Sequence, residues 1–342
     1  MKTIFIVDDN ETNRMAAKSA LDGTYKNFAL PSAARMFNML EKITPDLILL
    51  DIDMPEMDGF EALTALKADD KLKRIPVIFL TAKNDAESET RGFEIGAIDF
   101  MHKPFSPPVL IKRIGLHIET DRLIKESLHS VREIHNATIN VIANMVESRD
   151  KVTGGHIDRT QKYLSILVNE LLRSGVYADE VSTWNLDVFV PSAQLHDVGK
   201  IVISDVILNK PAKLTDEEFD LIKTHCAEGE SVIERIMNKT SKTKDDRFLL
   251  HAKRFAGSHH EKWDGSGYPN RLAGEGIPLE SRLMAIADVY DALVSERPYK
   301  KPFTHEQAME IIKKDSGTHF DPKLVEAFLN VADDFWVESV SS

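Results

Sequence analysis

Seven residues between positions 149 and 342 carry metal-ligand chemistry: His156, His196, Asp197, His225, His259, His260 and Asp288. Each alone is an ordinary polar residue. Together, five imidazoles and two carboxylates suffice for two metal ions. His196 and Asp197 are adjacent, and neighbouring helical residues point about 100° apart. His196 can therefore feed one ion while Asp197, with two oxygens to share, sits between two. The expected sets are His156, His196 and Asp288 for one metal and His225, His259 and His260 for the other. All the donors are nitrogen or oxygen, which suits iron, manganese or zinc. A pair of such ions about 3.5–4 Å apart can supply a nucleophile at neutral pH and neutralise developing negative charge.

A second constellation lies near the start of the chain. Asp8, Asp9, Asp51, Thr81 and Lys103 each follow a short apolar run. Three gathered carboxylates call for a hard cation, and Mg²⁺ fits. Asp51 could then accept a phosphoryl group as nucleophile. Thr81 and Lys103 would hold its oxygens.

These residues need a scaffold. "TIFIV" (3–7), "DLILL" (46–50) and "PVIFL" (76–80) read as buried strands, with further strands near 28–30 and 98–101. Helical patterns at 11–21, 32–43, 59–68 and 86–95 alternate with them. That alternation predicts an α/β domain with a parallel, flavodoxin-like five-stranded sheet, whose ligand site lies at the carboxyl ends of the strands. The rest of the chain reads as almost entirely helical, giving a multidomain protein: α/β, then a helical linker, then all-α. Thr153 is expected to cap the helix of His156. Pro191 is expected to start, and Gly199 to stop, the helix that ends at His196 and Asp197.

At 342 residues the chain accommodates two domains. A formal net charge of −12 argues against DNA or a membrane surface as general partners. Cys226 is the only cysteine, which excludes an internal disulfide and a cysteine-based zinc site. "MKTIFIVDDN" has too short an apolar run for a signal peptide, and no stretch approaches the length of a membrane span. A cytoplasmic location is expected.

Between the two constellations, residues 105–148 read as a helical connector. A 4-3 spacing picks Leu110, Ile114, His117, Asp121, Ile124, Leu128, Val131, His135, Thr138, Ile142 and Met145, seven of them apolar. It reads as a coiled-coil seam with polar interruptions, which predicts a parallel homodimer; the other reading is a single amphipathic helix packed on its own domain.

"VDDN", "LLDIDMPEMDG", "LTA" and "HKPF" together resemble the receiver domain of bacterial response regulators. The resemblance implies Asp51 as phospho-acceptor and Asp8, Asp9 and Asp51 as Mg²⁺ ligands, joined by the backbone carbonyl of Asp53. It implies Thr81, Phe100 and Lys103 as switch residues, and a histidine kinase as phosphate donor. "HDVGK" with "HHEKWDGSGYP" resembles the HD-GYP family of phosphohydrolases over residues 149–335. That resemblance implies an all-α fold, a two- or three-metal centre, often of iron, and hydrolysis of cyclic di-GMP to pGpG or on to GMP. Asp197 and Lys200 would then be catalytic, with Lys200 beside the scissile phosphate. Gly267, Tyr268 and Pro269 would form a loop near the substrate, which could also dock a diguanylate cyclase or another protein. Arg297 and Lys300 would hold the far phosphate. Three-metal members carry a Glu four residues before the first histidine; Val152 stands there, so two metals are expected.

The expected organisation is a receiver (1–120), a linker (121–148) and an HD-GYP domain (149–342), with "NKTSKTKDDR" (238–247) as a polar insertion. The expected function is a cyclic di-GMP phosphodiesterase controlled at Asp51. Two other readings are a phosphodiesterase for another cyclic dinucleotide, such as cyclic GMP-AMP, and a non-catalytic adaptor.

Overall fold

The computed structural model describes residues 1–82, 86–149, 155–239, 246–296 and 301–341. They divide into two compact units, Met1–Val131 and Arg132–Ser342.

In the first unit, β1 (Thr3–Val7), β2 (Lys26–Leu30), β3 (Leu47–Asp51), β4 (Val77–Thr81) and β5 (Asp99–His102) alternate with α1 (Glu11–Leu21), α2 (Ala33–Leu40), α3 (Gly59–Ala68) and α4 (Ala86–Ile95). The strands pair in parallel in the order β2-β1-β3-β4-β5. Strand periodicity sorts the side chains onto two faces. Phe5, Val7, Ile48, Leu50, Val77 and Phe79 enter one core, while Ile4, Ile6, Leu49, Ile78 and Leu80 enter the other. Strands β3 and β4 run one residue further than their apolar runs suggest, so Asp51 and Thr81 are their last residues. The connectivity reverses between β1 and β3, and a crevice opens there at the strand ends.

Helix α5 (Pro107–Glu147) is continuous from the first unit into the second. Its start corrects the expected seam. Leu110 and Ile114 are fully buried in the core of the first unit, and His117 pairs with Asp99 at 3.0 Å. Those three positions are spent on the α/β domain. The later apolar seam positions, Ile124, Leu128, Val131, Ile142 and Met145, are exposed, as are Leu116 and Leu123 beside them. His135 also departs from a seam role, with its ring 5.3 Å from that of Phe248.

The second unit contains α6 (His156–Ser174), α7 (Ala178–Val181), α8 (Leu186–Ser192), α9 (Asp205–Leu208), α10 (Asp216–Lys239), α11 (Arg247–Ser258), α12 (Leu279–Val294), α13 (His305–Lys314), α14 (Pro322–Asn330) and α15 (Ala332–Ser341). Helix α12 is buried along most of its length and forms the centre, with its buried Glu280, Arg282 and Asp291 each paired to another side chain. Its Leu283, Ile286, Ala287 and Tyr290 pack against Tyr163, Leu164, Leu167 and Leu171 of α6.

Two local expectations change. Pro191 lies inside α8, which Asn185 caps, rather than starting a helix. Pro191 cannot donate to the helical ladder. The chain tightens after it into a 3₁₀ turn at Ala193–Leu195, then a second at Val198–Val202. Gly155, in the left-handed region, occupies the N-cap of α6, and Thr153 lies outside the described residues.

Candidate metal centre

Packing of α6 on α12 sets His156, the first residue of α6, against two acids one helical turn apart. His156 Nε2 lies 3.6 Å from Asp288 Oδ1, and His156 Nδ1 lies 2.8 Å from Asp291 Oδ2. The 3₁₀ turn after Pro191 delivers His196, whose Nε2 is 3.5 Å from that of His156. Thus His156, His196 and Asp288 converge.

Beside them, Asp197, His225, His259 and His260 form a second group. His225 lies within α10, and His259 is the C-cap of α11. Gly199 allows the approach, because a Cβ there would lie 1.9 Å from the His225 carbonyl oxygen. His225 Nε2 is 3.4 Å from His259 Nε2, and these atoms are 3.4 and 3.7 Å from Asp197 Oδ1. The other Asp197 oxygen lies 3.4 Å from His196 Nε2 and 2.7 Å from Lys200 Nζ. Asp197 therefore has one oxygen toward each group.

The ring orientations are fixed from behind. Nδ1 of His196, His225 and His259 donates to the carbonyls of Ala193, Ile222 and Phe255 at 2.9, 2.7 and 2.8 Å. This leaves each Nε2 lone pair aimed at the cluster, as metal-ligating histidines require. His156 is held by Asp291, which Arg159 clamps at 2.6 and 2.9 Å.

Facing lone pairs at these distances repel. Asp197 Oδ1 is buried and has no hydrogen-bond partner among the described residues. A cation between them satisfies every one of these atoms, so the donor set fits divalent metals. Burial pushes the His225 pKa down to about 4 and that of His260 well below its usual value, keeping both rings neutral. Burial opposes ionisation of Asp197, but Lys200 and His196 hold its carboxyl well below the usual range.

The "HHEKWDGSGYP" loop folds back over the second group. Tyr268 N–H donates to the His260 carbonyl at 3.2 Å, and the two rings lie 4.9 Å apart. Buried Glu261 accepts from the backbone of Asn270 and Leu272 at 2.6 and 3.1 Å, which pins the loop. Gly267 is required by packing, since a Cβ would lie 2.3 Å from Lys262 N. A groove of ≈ 910 Å³ runs from Tyr268 and Pro269 to Phe219, and its walls carry Lys223, Lys262 and Arg271 together with Asp220, which pairs with Lys223, and Glu228.

In the first unit, Asp8, Asp9 and Asp51 also converge. Lys103 Nζ reaches both Asp8 and Asp51 at 2.7 Å. Burial raises the Asp51 pKa against the pull of Lys103. Asp53 is exposed beyond β3, Thr81 is buried, and Phe100 is turned inward against Phe79 and Phe93.

Residues 4–115 match the family model described as a response regulator receiver domain, and residues 121–324 match that of the HD domain. This chain is a response regulator of the HD-domain family.

The response regulator is 40% identical over 341 residues to a protein of Vibrio cholerae named "Probable cyclic di-GMP phosphodiesterase", covering 96% of this chain and 77% of that one. It is 33% identical to "Cyclic di-GMP phosphodiesterase response regulator RpfG" of Xanthomonas campestris pv. campestris, covering 95% of this chain and 86% of the relative. It is 40% identical over 227 residues to "3'3'-cGAMP-specific phosphodiesterase 2" of Vibrio cholerae, covering 66% of this chain and 40% of that protein. Its HD domain is that of a metal-dependent phosphohydrolase, and its clustered His and Asp residues could bind metal. Among the described residues, no helix is long and apolar enough to cross a membrane.

Arg297, Lys300 and Val152 lie outside the described residues of the response regulator, as does most of the 238–247 insertion. Sequence reasoning passed over Arg159 and Glu261. It also passed over the groove residues Phe219, Lys223 and Arg271. The i,i+3 spacing of Asp288 and Asp291 was the available signal for a ligand and its orienting partner.

Proposed function

We propose that this response regulator hydrolyses cyclic di-GMP to pGpG, GMP or both at a binuclear metal centre, under control of Asp51 phosphorylation. The observation that carries the reading is the position of Asp197, with one oxygen toward each histidine group and Lys200 at 2.7 Å.

His156, His196 and Asp288 would hold one ion and His225, His259 and His260 the other, with Asp197 able to serve both. Iron or manganese is favoured, and zinc suits the same donors. When bound, the two ions supply a nucleophile at neutral pH and Lewis-acid neutralisation of the phosphate. Lys200 adds a positive charge where the phosphorane becomes more negative. Gly267, Tyr268 and Pro269 border the substrate, and the groove beyond them takes the second nucleotide. A base stacks on Phe219, and Lys223, Lys262 and Arg271 offset phosphate charge. Arg297 and Lys300 hold the far phosphate.

The receiver takes its phosphoryl group from a histidine kinase onto Asp51, with Mg²⁺ on Asp8, Asp9, Asp51 and the Asp53 carbonyl. Thr81, Phe100 and Lys103 report the change. The exposed apolar row from Leu123 to Met145 supports pairing with a second copy of the chain. The domains run 1–120, 121–148 and 149–342, and the protein works in the cytoplasm. The loop at Gly267–Pro269 is also open to a protein partner such as a diguanylate cyclase.

The test is anaerobic incubation of the full chain, loaded with Fe²⁺ or Mn²⁺, with cyclic di-GMP and separately with 3′3′-cyclic GMP-AMP. Chromatography should show faster loss of cyclic di-GMP. Preference for the mixed dinucleotide would transfer the function to that substrate, and no turnover of either would favour an adaptor.

A further inference from the structure

Helix α5 ends at Glu147, and just beyond it the Arg149 side chain reaches the turn that carries Lys200. The guanidinium donates to the backbone carbonyls of Lys200, Ile201 and Ile203 at 3.1, 2.8 and 2.8 Å. Asp205 balances its charge, with Oδ1 2.9 Å from Nη2 and 3.1 Å from Nε. Asn209 ties down the Arg149 backbone, donating to its carbonyl at 2.7 Å.

The turn needs such a clamp. Val198–Val202 is a short 3₁₀ segment, and the last carbonyls of such a segment lack donors from within it. Lys200 N–H donates to the Asp197 carbonyl at 2.9 Å, and the Lys200 carbonyl accepts from Ile203 N–H at 3.1 Å. Arg149 adds donors at that end, and arginine offers several N–H groups in one rigid plane. Val198 and Gly199 are buried, but Ile201 and Val202 are each 53% exposed. Apolar packing therefore holds the start of the turn and not the end that follows Lys200. At the other end stands Asp197, whose Oδ2 lies 2.7 Å from Lys200 Nζ.

We propose that Arg149 is a positioning residue for Lys200. By capping the carbonyls of Lys200 and the residues after it, Arg149 fixes where the ammonium stands beside Asp197 and the scissile phosphate. The inference rests on the role given to Lys200 under the proposed function. It also makes Arg149 the point where the chain leaving the connector helix grips the Lys200 turn.

The test separates kcat from KM and follows the turn itself. Full-length Arg149→Met, Arg149→Lys, Lys200→Met and the Arg149→Met/Lys200→Met double variant are loaded with Mn²⁺ and assayed with cyclic di-GMP. Metal content and amide hydrogen exchange are measured on the same preparations. Arg149→Met should lower kcat about 10–100-fold, the scale of a group misplaced by about 1 Å. KM and metal content should stay as in wild type. Amides of residues 198–203 should exchange faster while the rest of the domain keeps its protection. Arg149→Lys, which keeps the charge but not the planar fork, should recover part of kcat. Because Arg149 acts through Lys200, Arg149→Met should cost less than about twofold more in the Lys200→Met background. The full loss repeated in the double variant would overturn the proposal, as would wild-type kcat in Arg149→Met. Loss of metal or of protection throughout the domain would show a merely structural role and overturn it too. Wild-type kcat in Lys200→Met would remove the role given to Lys200, and no turnover by loaded wild type would remove the phosphodiesterase reading; this proposal falls with either.

Discussion

His156 Nδ1 lies 2.8 Å from Asp291 Oδ2, and Arg159 grips the same carboxylate from its other side. This carboxylate–histidine pair turns His156 Nε2 toward His196 and Asp288. Asp291 thus positions the His156 ring. Asp291→Asn keeps the shape but loses charge and can present the wrong hydrogen-bond partner. We expect metal retention at the first site to fall by about 10–100-fold, the usual scale for such outer partners. The measurement is competition of the loaded protein with a chelator. Unchanged retention would remove Asp291 from this role.

Gly199 is where a 3₁₀ turn meets α10. A methyl group there collides with the His225 carbonyl oxygen. Gly199→Ala should therefore separate Asp197 from His225, destabilise the domain by about 1–3 kcal/mol and weaken the second metal site. Thermal melts with and without Mn²⁺ read both effects. The metal-induced rise in melting temperature should shrink. A full-sized rise would show that the turn adapts without cost.

Phe219 and Tyr268 both line the groove and meet edge to face, with ring centroids 6.4 Å apart and interplanar angle 82°. Phe219→Ala removes the proposed stacking platform and leaves the metal residues in place. Base–aromatic stacking is worth about 1–3 kcal/mol. KM for cyclic di-GMP should rise by the corresponding factor, with metal content unchanged. An unaltered KM would place the base elsewhere.

Phosphorylation of Asp51 should change the rate. Beryllofluoride, a phosphate mimic, is expected to shift phosphodiesterase activity several-fold, consistent with a coupling of order 1–3 kcal/mol. Asp51→Ala should abolish the response. Assay with parallel measurement of solution mass tests both control and pairing through α5. Identical rates with Asp51 occupied would detach the receiver from the enzyme.

The sheet was readable because its strands are short apolar runs bounded by polar residues, and buried parallel strands have no other appearance. The histidines stood out because imidazoles recur beside acids in turn-rich settings. The seam was misplaced at Leu110 and Ile114 for a physical reason. Apolar periodicity shows that a helix has a buried face, but not whether its own domain or a second copy buries it. Pro191 misled because a proline near a helix end is compatible with either side of the boundary. Glu147 stands nine positions before His156 and belongs to another helix. Only the folded chain shows that its buried Oε1 has no hydrogen-bond partner among the described residues. The groove likewise assembles residues from α10 and from the loop after α11, separated in sequence and joined by packing.

The most direct test of the account is the metal content and cyclic di-GMP turnover of Asp197→Ala, measured on the same preparation. Among the described residues, Asp197 is the one with an oxygen toward each histidine group. Its removal should empty or severely weaken both sites and abolish hydrolysis, while the receiver still accepts beryllofluoride. Retained metal together with wild-type turnover would contradict the shared two-metal centre.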